Sequence, residues 1–329
     1  MSPRCAVVGG GIIGLSIAWR LTQRGARVRV FDAGDHGAWY VAAGMLAAGN
    51  ESTWESAALG RLLSASAKLW PDFAEELGVP LPGDGTLVVA LTADDLAQAE
   101  RDWARRRLTP TEVRRLEPAL SPRVRAGCHI TDDRQVDPRK VVEALRERVD
   151  VVPQRIDDLA TVDADQVIVA AGTGTAALTG LPIRPVKGEL LRLRGEPGLL
   201  RHVISGYADG RHVYLVPRTD GEVIVGATQE ERTDHAVTAG AVLDLLRAAI
   251  DLVPALADLE ITETQVGHRP STPDNAPLLG RLDDRTLVAA GHHRNGVLLA
   301  PITADLIAEL VVTGEADPLL APFEPGRFA

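Results

Sequence analysis

An apolar run at Cys5–Val8 is followed by glycines at 9, 10, 11 and 14, then by apolar positions at helical spacing, then by a Val-Arg-Val-Phe run, Val28–Phe31, ending at Asp32. This order predicts a buried strand, a tight turn, a helix over about Ile12–Arg24 stopped by Gly25, and a second strand. Leu59, Leu62, Leu63, Leu69, Phe73 and Leu77 recur at helical spacing and predict a long helix over Trp54–Leu77. Pro80–Gly85 breaks that pattern, and Thr86–Leu91 predicts a strand. Thr92 caps a helix expected to run to about Arg107. Thr109-Pro110-Thr111-Glu112 has the form of a capping box, and Asp137-Pro138 opens a helix to about Arg148.

Beyond Asp165 the pattern changes. Asp165–Gly172 is a buried strand ending in Ala-Ala-Gly, small enough to let backbone approach a bound dinucleotide. Three β-rich pieces follow, Val186–Leu193, His212–Val216 and Glu222–Gly226, and then a helix over Ala239–Leu252 capped by Thr238. Leu287–Gly291 returns to the apolar strand type, and Pro301 opens a last helix that ends at Thr313-Gly314. The expected fold class is α/β: a Rossmann-like dinucleotide-binding domain of discontinuous sequence (1–78, 137–182 and 280–329). Beside it stands an α+β domain built on an antiparallel sheet (79–136 and 183–279).

The first turn carries chemistry. Gly9 suits the tight turn, Gly11 lets backbone reach a pyrophosphate, and Gly14 permits close helix–strand packing. The following helix offers free N–H groups and its positive dipole end to phosphates. Asp32 is placed to accept hydrogen bonds from a ribose diol. A glycine-rich turn alone also fits a loop with no ligand. Two strands, a helix and an acid at the right offset point to a dinucleotide.

Charge and cysteine content narrow the class. The 329 residues are 45% apolar with a net charge of −10, which argues against nucleic acid as a partner. The densest basic cluster, Arg101, Arg105, Arg106 and Arg107, is interleaved with acids and reads as a solvated helix face. Two cysteines, Cys5 and Cys128, fit a reducing compartment. There is no apolar run of about 18 residues, so no membrane span is expected. The chain opens directly into its first strand, and a cytoplasmic protein without a targeting segment is the expectation.

Several segments go beyond the glycine fingerprint: Val8–Gly14, Ala42-Ala-Gly-Met-Leu-Ala47, Gln135–Pro138, Arg184–Gly188, Tyr214-Leu-Val-Pro-Arg218, Val225–Thr228, Gly267-His-Arg-Pro270 and Gly291–Pro301. In this order the chain resembles the D-amino-acid oxidase group of flavoproteins, and within it the glycine oxidases of thiamine biosynthesis. The resemblance implies noncovalent FAD. Ile12 and Ile13 match the pyrophosphate turn, Asp32 and Ala33 the adenosine ribose site, and Ile156 the residue whose backbone meets adenine. Ala43, Gly44 and Met45 match a flavin-side loop, and Gly172 closes the strand end that lets backbone approach the dinucleotide. His292, His293, Arg294, Asn295, Gly296, Val297 and Leu298 match the loop beside the isoalloxazine. Related sarcosine oxidases attach flavin through a late cysteine; none follows Cys128 here.

The chain departs from that pattern at Trp39, Tyr40 and Val41, where the resembling proteins carry small or hydroxyl residues, so flavin contacts at Ala38 and Trp39 stay open. The stretch Arg148–Asp165 is also shorter than usual and is expected to lack a surface hairpin.

Oxidation of an amino acid by flavin asks the protein mainly to orient the substrate and to support charge. A guanidinium suits a carboxylate, since its planar fork makes two parallel charge-assisted hydrogen bonds. Arg269 and Arg294 match the family's substrate-binding arginines and Tyr214 its carboxylate-binding tyrosine. As alternatives, Arg269 could be a structural ion-pair partner and Tyr214 a core residue. His212 lies two residues from Tyr214 on the same strand face, and it reads as a satisfied polar strand residue ahead of a catalytic one. Gln229 stands where related enzymes carry an apolar residue near the substrate. His292 and His293 lack the further ligands that a metal site needs.

The resemblance implies oxidation of glycine or another small amino acid to the imine, then glyoxylate and ammonia. Oxygen is reduced to hydrogen peroxide, and the imine is supplied to thiazole synthase. A tetramer is implied on the same footing. Alternatives are a D-amino-acid dehydrogenase or sarcosine-oxidase-like enzyme with another acceptor, and a noncatalytic flavin-binding module.

Overall fold

The computed structural model describes residues 3–48, 56–100 and 106–328. Trp54 and the 101–105 part of the basic cluster lie outside them.

Among the described residues sixteen strands form three sheets. The first sheet has the order β15 (Leu278–Arg281), β16 (Thr286–Ala290), β9 (Gln166–Val169), β1 (Arg4–Val8), β2 (Arg27–Asp32) and β8 (Val151–Pro153). All its pairings are parallel except the β15–β16 edge. Parallel strands need covered faces, which is why β1, β9 and β16 read as near-continuous apolar runs. Helices α1 (Ile12–Gln23), α3 (Ala57–Leu77), α6 (Pro138–Arg146) and α9 (Ala300–Thr313) supply a cover, with Leu15, Leu62, Phe73, Val141 and Ile307 in one continuous core. Trp19, Phe73 and Trp70 meet edge to face at 5.2 and 5.4 Å between ring centres.

The second sheet runs β14 (Glu260–Ser271), β10 (Arg184–Arg194), β13 (Glu222–Gly226), β12 (Arg211–Pro217), β11 (Val203–Ala208), β4 (Thr86–Ala90), β6 (Ala126–Ile130) and β5 (Arg107–Leu108). It is antiparallel apart from the β4–β11 pair. Helix α8 (Ala239–Leu252) packs on one face, burying Leu245, Ala249 and Leu252 against Leu191, Val213 and Leu215. A two-stranded ribbon, β3 (Met45–Leu46) with β7 (Arg134–Gln135), completes the set. The remaining helices are α2 (Ala38–Val41), α4 (Ala93–Ala99), α5 (Pro110–Leu116) and α7 (Thr175–Thr179).

Local signals account for most helix ends. Gly25 follows α1 with φ 82°, and Gly314 ends α9 with φ 79°, the left-handed conformation that glycine takes without a Cβ clash. Thr109 and Glu112 form the reciprocal capping box at α5, and Thr238 caps α8. Two helices stop short of their expected ends. The helix capped by Thr92 covers only Ala93–Ala99, and Arg107 lies in β5, paired with Cys128 across from it. The helix opened by Asp137-Pro138 ends at Arg146 rather than Arg148. The strands β5, β6, β11 and β14 of the second sheet, and β3, β7, β8 and β15 elsewhere, are not among the elements that the sequence pattern predicts. β14 draws its order from eleven cross-strand pairs with β10 rather than from its own apolar content.

Candidate active site

Between the two sheets runs a cavity of about 690 Å³. At one end is the βαβ crossover. Gly9 has φ 117°, and a Cβ there would stand 2.3 Å from the Ala170 carbonyl oxygen, so only glycine lets this turn pass under the end of β9. Gly14 sits below the turn, where a Cβ would meet the Gly9 carbonyl oxygen at 2.0 Å. Gly11 caps α1 with no side-chain hydrogen bond, so the first turn of the helix opens toward the cavity uncapped.

Asp32 ends β2 and is buried. Its Oδ2 accepts a hydrogen bond from Arg146 Nη2, which also donates 3.2 Å to the Gly10 carbonyl; its Oδ1 accepts from the Gly34 N–H at 3.3 Å. The pairing leaves the carboxylate fixed at the cleft wall. A Cβ on Gly10 would strike that carboxylate at 2.4 Å, a role of Gly10 that the fingerprint does not reveal. Nor does the sequence announce Arg146, which comes from 114 residues away.

In the middle of the cavity lies the loop Ala42–Met45. Gly44 has φ 79°, and a Cβ there would meet the Val136 carbonyl oxygen at 1.9 Å. Arg218, just past β12, holds this loop from the other sheet by donating to the Ala43 carbonyl (2.6 Å) and to Gln135 Oε1 (2.7 Å). Burial pulls its guanidinium down to about 10, which leaves it charged at neutral pH. The loop after β16 closes the opposite wall. His292 Nε2 pairs with Thr303 Oγ1 (3.1 Å) and His293 Nδ1 with Ser271 Oγ (2.5 Å). Burial lowers His292 to about 3; burial and the charges of Arg269, Arg294 and Arg184 lower His293 to about 4.

The far end belongs to the second sheet. Arg269, on β14, packs its guanidinium over Gly188 of β10, where a Cβ would stand 2.4 Å from Nη1, and Nη1 donates to the Thr228 carbonyl at 3.2 Å. Tyr214, on β12, lies over Gly226 of β13, its register partner, whose Cβ would meet the phenol oxygen at 2.4 Å. Two glycines thus make room for the two large side chains. His212 faces the cavity and pairs through Nε2 with Ser205 Oγ at 2.9 Å. The protein around the ring and the positive charge of Arg294 lower it to about 4, so it is neutral at pH 7.

Most residues expected at the site line this one cavity: Gly9, Gly11, Ile12, Ile13, Asp32, Ala33, Ala43, Gly44, Met45, Ile156, Gly172, His292, His293, Arg294, Gly296 and Val297, with Tyr214, Arg269, His212 and Gln229. Gly14, Asn295 and Leu298 do not. The Leu298 carbonyl turns into the core and accepts from Ser66 Oγ (2.6 Å) and Trp70 Nε1 (2.9 Å), and Asn295 is buried. Ala38 and Trp39 do line the cavity, as do Gly10, His36, Gln154, Arg155, Thr173 and Ser205, which sequence reasoning missed. Among the described residues no group of three or more His, Cys, Asp or Glu side chains could hold a metal ion.

A parallel dinucleotide-type sheet facing an antiparallel sheet, with a long cleft between them that ends at arginines, defines a nucleotide-dependent oxidoreductase fold. The chain belongs to the DAO family of FAD-dependent oxidoreductases, whose pattern matches residues 4–310. It is 34% identical to the glycine oxidase of Geobacillus kaustophilus over 98% of this chain and 96% of that protein. A crystal structure of glycine oxidase from Geobacillus kaustophilus superimposes with a TM-score of 0.88 at 32% identity, covering 99% of each chain. The bifunctional protein ThiO/ThiG of Synechocystis sp. is also 34% identical, over 98% of this chain, but the chain spans only 53% of that relative's length.

FAD is the family's cofactor, and the cleft fits it. Its length runs from the uncapped start of α1 and the Asp32 carboxylate to the arginines, and Gly9 and Gly44 in its walls leave no room for a Cβ. Gly11–Ile13 would hold the diphosphate, Asp32 the adenosine ribose, and Ala43–Met45 with His292–Arg294, Gly296 and Val297 the ring system.

Proposed function

We propose that this protein is an amine oxidase acting on glycine or a similarly small amino acid, with oxygen as acceptor, hydrogen peroxide as by-product, and the imine passed on to thiazole synthesis. FAD held along Gly11–Ile13, Asp32 and the Ala43–Met45 loop would supply the hydride acceptor and the redox link to oxygen. The chain's own residues do the binding and orienting. Arg269 and Arg294 hold the carboxylate, and Tyr214 adds a hydroxyl donor. His212, neutral at working pH, leaves the two guanidinium charges as the field that the carboxylate meets.

The single observation that carries this reading is the convergence of Arg269, Arg294, Tyr214 and His212 on the cleft that also holds the dinucleotide turn. The names of the glycine oxidase relatives support the same substrate class, and a relative that joins ThiO to ThiG in one chain supports thiazole synthase as the consumer. The two-domain division, with a cofactor domain at 1–78, 137–182 and 280–329, is part of the proposal.

Anaerobic titration of the yellow holoprotein with glycine, sarcosine and D-alanine tests it. Bleaching of the flavin bands by one of them is expected, followed by peroxide release on admitting air. A flavin that none of the three reduces overturns the substrate assignment. Reduction without peroxide overturns the oxidase assignment.

A further inference from the structure

Trp39 stands where the resembling proteins carry a small or hydroxyl residue, and it forms part of the cleft wall. The pyrrole edge of its indole faces the dinucleotide turn. Cδ1 and Nε1 lie 3.3 and 3.7 Å from the position a Cβ on Gly11 would take, and 3.1 and 3.3 Å from that on Gly37. The indole N–H therefore sits beside the open first turn of α1, which has neither a side-chain cap nor an acidic residue. No described residue accepts a hydrogen bond from that N–H. An indole N–H is a donor only, and it usually finds an acceptor when half-buried.

The pedestal under Trp39 is fixed. Its neighbour Tyr40 stacks on His36 at 3.9 Å and 12° between planes, and the Arg139 guanidinium lies 3.8 Å from the centre of the Tyr40 ring. Arg139 donates to the Tyr40 carbonyl (3.0 Å), to both carboxylate oxygens of Glu263 (3.0 and 2.8 Å) and to Gln265 (3.0 Å). Val41 packs on Gly267 of β14, so α2 is held from both sides. A bulky side chain on so short a helix would otherwise swing outward.

We propose that Trp39 is a cofactor-binding residue whose indole N–H donates to a diphosphate oxygen of FAD at the start of α1. The backbone N–H groups of the turn and the indole then share one anion from two sides. A donor–anion bond of this kind contributes about tenfold to affinity. The proposal rests on placing the diphosphate at Gly11–Ile13 and the adenosine ribose at Asp32, and the test separates the two.

Apoprotein is titrated with FAD, ADP and adenosine, with folding followed by circular dichroism. Trp39→Phe is expected to weaken FAD and ADP by about tenfold and to leave adenosine unchanged. Equal or tighter binding of FAD and ADP overturns the proposal, because the indole then obstructs the site or ignores it. Equal loss for adenosine also overturns it, since the contact is then with the ring face. Asp32→Ala should weaken both ADP and adenosine; if it does not, the placement itself fails. In 15N-labelled wild-type protein, ADP should move one indole N–H resonance, the one absent from Trp39→Phe. If no indole resonance moves, the proposal falls without recourse to any variant.

Discussion

At the scale of single residues, the substrate end of the cleft depends on Arg269, which donates to the carbonyl oxygens of Lys187 and Thr228. Arg269→Ala is expected to lower kcat/KM for glycine on the order of 10²-fold, with Arg269→Lys recovering only part of it because an ammonium lacks the planar fork. Steady-state oxygen consumption reads both, and an unchanged kcat/KM in Arg269→Ala removes the clamp. His292 and His293 give a pH signature. Unfolded, each binds a proton below about 6.5; folded, burial holds them neutral down to about 3 and about 4. Between those values the unfolded state binds more protons, so stability falls as pH drops from about 6.5 toward 4. Urea midpoints at pH 7 and pH 5 should show that fall, and His292→Asn should make it shallower. An identical slope in the variant refutes the assignment.

Among the elements, the contacts that tie them together are less visible than the elements themselves. The capping signals at Thr109, Thr238 and Asp137 are read from four residues at a time, and the helices start where those residues stand. Strand β14 has alternating polar residues and shows little on its own; its partner β10 orders it from some 70 residues away. The same limit applies at the site. The glycine turn, the Ala-Ala-Gly-Met-Leu loop and the two arginines are legible as local motifs. The Asp32–Arg146 pair, the Gly188 and Gly226 hollows and the Arg218 tether are not, because each joins distant segments. Asp95 illustrates the point. It completes the capping box of α4 and also accepts from the N–H groups of Asp209 and Gly210 in the β11–β12 turn, at 3.0 and 2.8 Å. Burial works to raise its carboxyl, and these hydrogen bonds outweigh it, holding the group below its usual value. Its contribution is therefore present above the unfolded value of about 3.9 and lost as pH falls through the lower folded one. Asp95→Ala should cost about 1–3 kcal/mol in urea unfolding at pH 7, since two turn donors lose their acceptor. A loss under 0.5 kcal/mol would show that water replaces the carboxylate there.

For the whole molecule, the cleft is the seam between two sheets, clasped by Arg139 from α6 onto β14 and by Arg218 onto the Ala43 loop. A ligand filling that seam binds the folded state alone. Stripping FAD should lower the melting temperature, and restoring it at 100 times its dissociation constant should return about 2.7 kcal/mol, on the order of 5 °C. A melting point indifferent to FAD would mean that the cofactor does not bridge the two halves.

The parallel sheet has a further consequence. Its central strand β1 pairs with β9, and β9 in turn with β16, so the cleft floor is laid by three widely separated stretches of chain. The last of these, with the loop carrying His292–Val297, is synthesised long after the first. A nascent polypeptide therefore cannot complete its flavin cleft until this last stretch has emerged.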